Sequence, residues 1–169
     1  ELAIYDDFMT GLHPGLHIIG GRAGTGKTAL ALNAAIKIAQ REPVIFCTAE
    51  MTPSSLFLRT LSYLTGLHIG VMVKPMKAQE FTIFKAGLTK LNALKMWFLE
   101  IQGLDASRIY SELLPLYHQV NPALIVVDYL QLVARVRDDS RYVAAGQVSA
   151  TFKTAAMQFK IPIILLSQV

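Results

Sequence analysis

The sequence predicts an α/β fold: a mainly parallel five-stranded sheet flanked by helices. Three observations lead there. Short apolar runs alternate with longer helical stretches along the chain, the pattern of a parallel sheet wrapped by helices. The runs are nearly continuously apolar rather than alternating, as strands covered on both faces must be. A glycine-rich segment joins the first run to the first helical stretch, where such folds cradle phosphate.

The first strand is Leu16–Gly20, and the helix after the glycines covers Thr28–Gln40. Val44–Ala49 is the second strand. Thr52-Pro53 then reads as an N-cap with proline at the first helical position. A helix over Ser54–Thr65 follows, with Phe57, Leu58, Leu61 and Leu64 at helical spacing as its core stripe. Gln79–Leu94 is the next helix and Trp97–Ile101 the third strand. Asp105 can cap a helix over Ala106–Gln119, which Pro115 is expected to kink or shorten and Asn121-Pro122 to end. Leu124–Asp128 is the fourth strand. A last helix, Ala144–Phe159, is weakened near its start by Gly146, by about 1 kcal/mol relative to alanine. It leads to the strand Ile161–Ser167.

A chain of 169 residues suits one domain with a full core. Hydrophobic residues make up 53% and charged residues 17%, against about a quarter charged in a usual soluble domain. No apolar run reaches the ~20 residues that span a bilayer, so no membrane partner is expected. The apolar excess points to a deeply buried sheet or to subunit interfaces. A net charge of +4 permits nucleic-acid contact without demanding it. The single cysteine, Cys47, sits in an apolar run; it reads as a buried, inert thiol in a reducing, cytoplasmic setting. There is no signal-peptide pattern. The chain opens at Glu1 without methionine and stops at Val169 as a strand ends, so it reads as a piece of a longer protein.

The segment Gly21-Arg22-Ala23-Gly24-Thr25-Gly26-Lys27-Thr28 fits G-x-x-x-x-G-K-[ST], with Ala29 continuing into the helix. Glycines let the loop fold tightly, so backbone N–H groups converge on phosphate oxygens. The helix N-terminus adds partial positive charge. Lys27 can reach the β- and γ-phosphates of ATP, and the Thr28 hydroxyl can bind Mg²⁺. The metal shell also needs a carboxylate. Asp128 supplies it, at the carboxyl end of a strand, the edge where open α/β sheets bind ligands.

Hydrolysis needs a base or a water-orienting group. Many P-loop ATPases place a glutamate directly after that aspartate, but here the position is Tyr129. Glu50 ends the second strand, which should lie beside the Asp128 strand. It is the glutamate expected next to the phosphates, provided Glu100 lies farther out on an edge strand. At the end of the chain, Ser167 and Gln168 should emerge near the γ-phosphate, where a glutamine could sense its loss. His13 and His17 are four apart, but Pro14-Gly15 prevents a helix there, and no metal site is expected from them.

Gly11-Leu12-His13-Pro14-Gly15, Arg22 in the P-loop, Ala49-Glu50-Met51-Thr52, Asp128-Tyr129-Leu130-Gln131-Leu132 and Leu166-Ser167-Gln168 together resemble the RecA-like ATPase domain of DnaB-type replicative helicases. The resemblance covers nearly the whole chain. It implies a P-loop NTPase fold whose C-terminal strands lie beyond these residues. It also implies Glu50 as catalytic base, Asp128 as Mg²⁺ partner and Gln168 as phosphate sensor. Family members carry an arginine finger and a DNA-binding loop in later strands, and an N-terminal primase-interacting domain, none of which falls in this sequence. The helix Ala144–Phe159 lacks acidic residues that relatives often carry.

By the same resemblance the strand order should be Trp97–Ile101, Val44–Ala49, Leu124–Asp128, Ile161–Ser167, Leu16–Gly20, with the P-loop strand at an edge. Arg135, Arg137 and Arg141 would lie in a loop facing a ring's central channel, where they could follow single-stranded DNA, although Asp138 and Asp139 cancel much of their charge. Primase or loader proteins would engage the missing regions. A second reading is a non-helicase RecA-like regulator, resembling KaiC- or RadA-like proteins. No arginine is evidently placed to meet the γ-phosphate from within: Arg22 is in the loop itself, and the face of Arg59 is not fixed by the sequence. An arginine supplied in trans, worth ~10³–10⁵ in rate, then implies a ring, most simply a hexamer, with its site at a subunit boundary.

Overall fold

The computed structural model describes residues 11–128 and 141–168, with 141–145 described as backbone only. Among these residues five strands form one sheet: β1 (Gly15–Gly21), β2 (Val44–Thr48), β3 (Met96–Glu100), β4 (Leu124–Asp128) and β5 (Pro162–Gln168). The described helices are α1 (Lys27–Ala39), α2 (Pro53–Thr65), α3 (Ile69–Met72), α4 (Ala78–Asn92), α5 (Ala106–Val120) and α6 (Arg141–Phe159). The spatial order is β1-β5-β4-β2-β3, and every pairing is parallel. This is the predicted order, with β5 between the P-loop strand and the Asp128 strand and β1 at an edge.

Alternating side chains explain why the central runs are apolar throughout. Val44, Phe46, Leu124, Val126, Ile164 and Leu166 point to one face, where Ala31, Leu32, Ala35 and Ile36 of α1 cover them. Ile45, Cys47, Ile125, Val127, Ile163 and Leu165 point to the other, under Ile109 and Leu113 of α5 and Phe152, Ala155 and Ala156 of α6. Each such aliphatic chain contributes roughly 1.5–3 kcal/mol on burial. Cys47 is fully buried, and that burial pushes its thiol pKa up, out of the reactive range. The edge strand β1 is less covered: Ile18 is 54% exposed.

Both predicted caps form. Thr52 accepts from the Ser55 N–H, and Asp105 accepts from the Arg108 N–H at 2.9 Å. Pro115 does not shorten its helix, because α5 runs through it from Ala106 to Val120. Tertiary contacts explain the difference. Ile109 and Leu113 are buried on one side of the proline, and beyond it Tyr117 stacks on Phe159 with ring centroids 4.0 Å apart. The Tyr117 hydroxyl also donates to the Phe159 carbonyl at 3.1 Å. Anchoring on both sides outweighs the ~3 kcal/mol that a proline costs in a helix interior.

Two other expectations need correction. Phe57 is not core but 37% exposed, while Leu61 is fully buried, because the buried face of α2 runs through Leu56, Thr60 and Leu61. Arg141 is not in a loop: it is the first residue of α6, which starts a turn before the predicted Ala144. The short α3 was not predicted. Among the described residues no helix is long and apolar enough to cross a membrane.

Candidate functional site

An all-parallel sheet brings the carboxyl ends of its strands to one edge. Here that edge holds the β1–α1 loop, the β2–α2 turn, Asp128 at the end of β4 and Gln168 at the end of β5. They enclose a cavity of about 280 Å³. Its walls come from Ala23, Gly24, Gly26, Lys27, Thr28 and Ala29 of the loop and α1, from Glu50, Met51 and Arg59, and from Asp128 and Gln168.

The loop owes its shape to Gly24 and Gly26, whose φ values of 75° and 90° lie in the left-handed region. Gly26 is also the N-cap of α1, and it offers no side-chain cap; the first turn has no acidic residue. The helix therefore presents its first N–H groups and positive end to the cavity without an internal partner from a capping side chain, as an anion site requires. Lys27 Nζ donates to the Gly21 carbonyl at 2.6 Å and to the Arg22 carbonyl at 2.8 Å. Thr25 Oγ1 donates to the same Arg22 carbonyl at 2.8 Å. Of the eight loop positions, Gly21, Arg22 and Thr25 do not line the cavity. They hold the loop from behind instead.

Across the cavity, Thr28 Oγ1 donates to Asp128 Oδ2 at 2.8 Å. The predicted metal pair is thus already in contact. A hydroxyl beside a carboxylate fits Mg²⁺, which takes one or two protein oxygens and keeps waters and substrate phosphates for the rest of its shell. Asp128 is only 2% exposed, and burial raises its pKa above the usual aspartate range. The Glu50 charge adds to the rise, whereas the Thr28 hydrogen bond, Lys27 and Arg59 oppose it.

That direction sets a pH dependence. A folded carboxyl with a raised pKa holds its proton more tightly than the unfolded one. Its stabilising effect is full below the ordinary aspartate range and is lost as pH rises through the raised value. Asp128→Asn keeps an acceptor for Thr28 and removes the charge. It should raise the Tm of the nucleotide-free protein at neutral pH, with the gap closing as pH falls toward the ordinary range. Thermal melts across pH check this, and a lower Tm for the variant at neutral pH refutes it.

Glu50 is exposed, stands on the turn between β2 and α2, and lines the cavity; β2 is hydrogen-bonded to β4 as expected. Glu100 ends the outer strand β3 and takes no part in the cavity. Gln168 lines it from the end of β5, where it pairs in register with Gly21. Arg59, whose face the sequence leaves open, also belongs to the site. It is an exposed residue of α2, a helix that begins at the same sheet edge, and its side chain reaches the cavity. A usable signal existed. Helical side chains lean toward the N-terminus, so a cation in the second turn of a helix rooted at this edge points back to it. Among the described residues Arg59 has no ion pair.

Other expected sites fare differently. Arg135 and Arg137 lie outside the described residues, as do Tyr129 to Leu132, and so does the side chain of Arg141. His17 Nε2 is 2.9 Å from the His13 carbonyl, and the two rings meet edge to face at 4.8 Å.

Comparison with known proteins gives a consistent set. The profile of the DnaB-like helicase C terminal domain matches residues 1–169. A probable replicative DNA helicase of Trieres chinensis is 30% identical over 165 residues, covering 90% of this chain and 35% of that protein. The replicative DNA helicase DnaB of Leifsonia xyli is 29% identical over 168 residues, covering 96% of this chain and 37% of its own length. The chain thus spans about a third of the curated relatives it matches. Among solved structures, an ATPase domain superposes with a TM-score of 0.86 at 21% identity, over 99% of this chain and 62% of that one. A DnaB-like replicative helicase, solved in a study of its interactions with primase, superposes at 0.87 and 20% identity, over 99% of this chain and 43% of that one.

Proposed function

The chain belongs to the DnaB-like helicase C-terminal domain family, and from that premise we propose that it is the ATP-binding and ATP-hydrolysing motor core of a replicative DNA helicase. One observation carries the reading: Lys27, Thr28, Glu50, Asp128, Gln168 and Arg59 converge on a single cavity from separate stretches of sequence. The family match favours it over a KaiC- or RadA-like regulator.

Each residue then has a task. The loop N–H groups and the α1 N-terminus bind the phosphates. Lys27 exchanges the Gly21 and Arg22 carbonyls for the β- and γ-phosphate oxygens. Thr28 and Asp128 would hold Mg²⁺, which would supply positive charge to offset that of the phosphates. Glu50 takes the proton of the attacking water. Gln168 reads the presence of the γ-phosphate at the tip of β5. Arg59 sets a positive charge beside the phosphates from within the chain, so the need for a second arginine in trans no longer follows from the lack of one here.

Assembly belongs to the same proposal. The parent protein forms a ring, most simply a hexamer, in the cytoplasm; with Arg59 at the site, the support for this is the likeness to DnaB-type helicases and no longer a missing arginine. Its arginines 135, 137 and 141 serve single-stranded DNA, and regions outside this chain meet primase or loader proteins. The test is ATP turnover by the full-length protein with and without single-stranded DNA. Stimulation by the strand is expected. Nucleotide binding with turnover indifferent to DNA would return the regulator reading.

A further inference from the structure

We propose that Thr48 is a positioning residue for hydrolysis, its hydroxyl fixing the turn that carries Glu50; this rests on the reading of Glu50 as the base. Thr48 ends β2 and is fully buried. Only two other buried polar or charged side chains occur among the described residues, Thr60 and Asp128. Thr60 is explained locally, since its hydroxyl donates to the Leu56 carbonyl one helical turn back. Asp128 belongs to the site. Thr48 has no such explanation. It follows four apolar residues in a strand buried along its whole length, where valine would fill the same space without a polar atom. Burying a hydroxyl is costly unless it is hydrogen-bonded.

The bonds that satisfy it are specific. Thr48 Oγ1 donates to the Met51 carbonyl at 2.9 Å and accepts from the Met51 N–H at 3.0 Å. Both span Ala49 and Glu50, so the hydroxyl closes a tight turn with Glu50 inside it. The main chain around that turn is tied to the neighbouring strands. The Ala49 N–H donates to the Asp128 carbonyl at 2.7 Å, and the Ile101 N–H donates to the Thr48 carbonyl at 2.9 Å. Thr48 is also the register partner of Asp128. The backbone that carries the base is therefore set relative to the strand that carries the metal carboxylate. The Glu50 side chain is exposed, so packing does not place it; the turn does. A base must lie within hydrogen-bond reach of the proton it takes, and a misplacement of about 1 Å can cost ~10² in rate.

Four variants of the full-length protein test this: Thr48→Val, Thr48→Ser, Glu50→Gln and the double variant Thr48→Val/Glu50→Gln. Thr48→Val should lower kcat by about tenfold to a hundredfold with the Kd for ATP within about twofold of wild type. Retained binding shows that the domain has folded. Thr48→Ser restores the hydroxyl and should recover most of kcat. In the Glu50→Gln background the valine should cost little more, because the hydroxyl acts through Glu50. If the valine variant does not fold, Thr48→Ala makes the same comparison without the added methyl. Wild-type kcat without the hydroxyl overturns the proposal, and so does an undiminished loss in the glutamine background. Wild-type kcat in Glu50→Gln alone is a different result: it removes the base assignment, and this proposal with it.

Discussion

Lys27→Ala should abolish productive nucleotide binding. On the proposed reading the ammonium would meet both β- and γ-phosphates, and its present partners are groups it can leave. It spans the Gly21 and Arg22 carbonyls at 2.6 and 2.8 Å, groups that a phosphate oxygen can replace with a stronger, charge-assisted bond. Alanine removes the charge and leaves the phosphates without that partner. Fluorescent-nucleotide titration of the full-length protein should show no saturable binding, and turnover should fall to background. Wild-type affinity in this variant would mean that the cavity is not the nucleotide site.

Glu50→Gln should leave nucleotide binding nearly intact and slow hydrolysis by roughly 10²–10⁴, the range for loss of a general base. The amide keeps the size of the side chain and one acceptor oxygen but cannot take up a proton. Glu50 also raises the pKa of Asp128, so removing its charge favours the ionised aspartate and should not weaken the metal pair. Equal loss of binding and turnover would take Glu50 out of the catalytic role. Measuring Kd and single-turnover rate on the same preparation separates the two outcomes.

The five strands and the P-loop were legible because their physics is local. A strand buried on both faces must be apolar throughout, and β2 and β4 are buried at every position. Gly24 and Gly26 are dictated by left-handed backbone that other residues adopt only with strain. Asp128, Glu50 and Gln168 followed from their places at strand ends in a parallel sheet.

What escaped was set by tertiary contact or by brevity. Helix α3 has four residues, Ile69–Met72, too few to show a period; its cap is His68 Nδ1, which accepts from the Gly70 N–H at 3.1 Å. The stacking of Tyr117 on Phe159 that carries α5 past Pro115 joins residues far apart in sequence. Arg59 needed the N-terminal lean of helical side chains to be combined with the rooting of α2 at the sheet edge, because spacing within Pro53–Thr65 alone does not place it. Phe57 showed the opposite error: an apolar residue at helical spacing that fell just outside the buried arc.

The pairing of β1 with β5 bears on how the protein comes into being. Gly15 partners Pro162 and Gly21 partners Gln168, and among the described residues β1 has no other strand beside it. The segment that makes the phosphate loop is the first of the five strands to leave the ribosome, yet its ladder partner is the fifth. Closing so long a loop is entropically slow, and sheets built from such distant contacts fold late. Until then the nascent β1 is an unpaired, largely apolar edge, the kind of surface that chaperones shield. The nucleotide cradle is thus among the last parts of this sheet to take shape, and a chain released before Pro162–Gln168 is made would carry the loop sequence without the scaffold that gives it form.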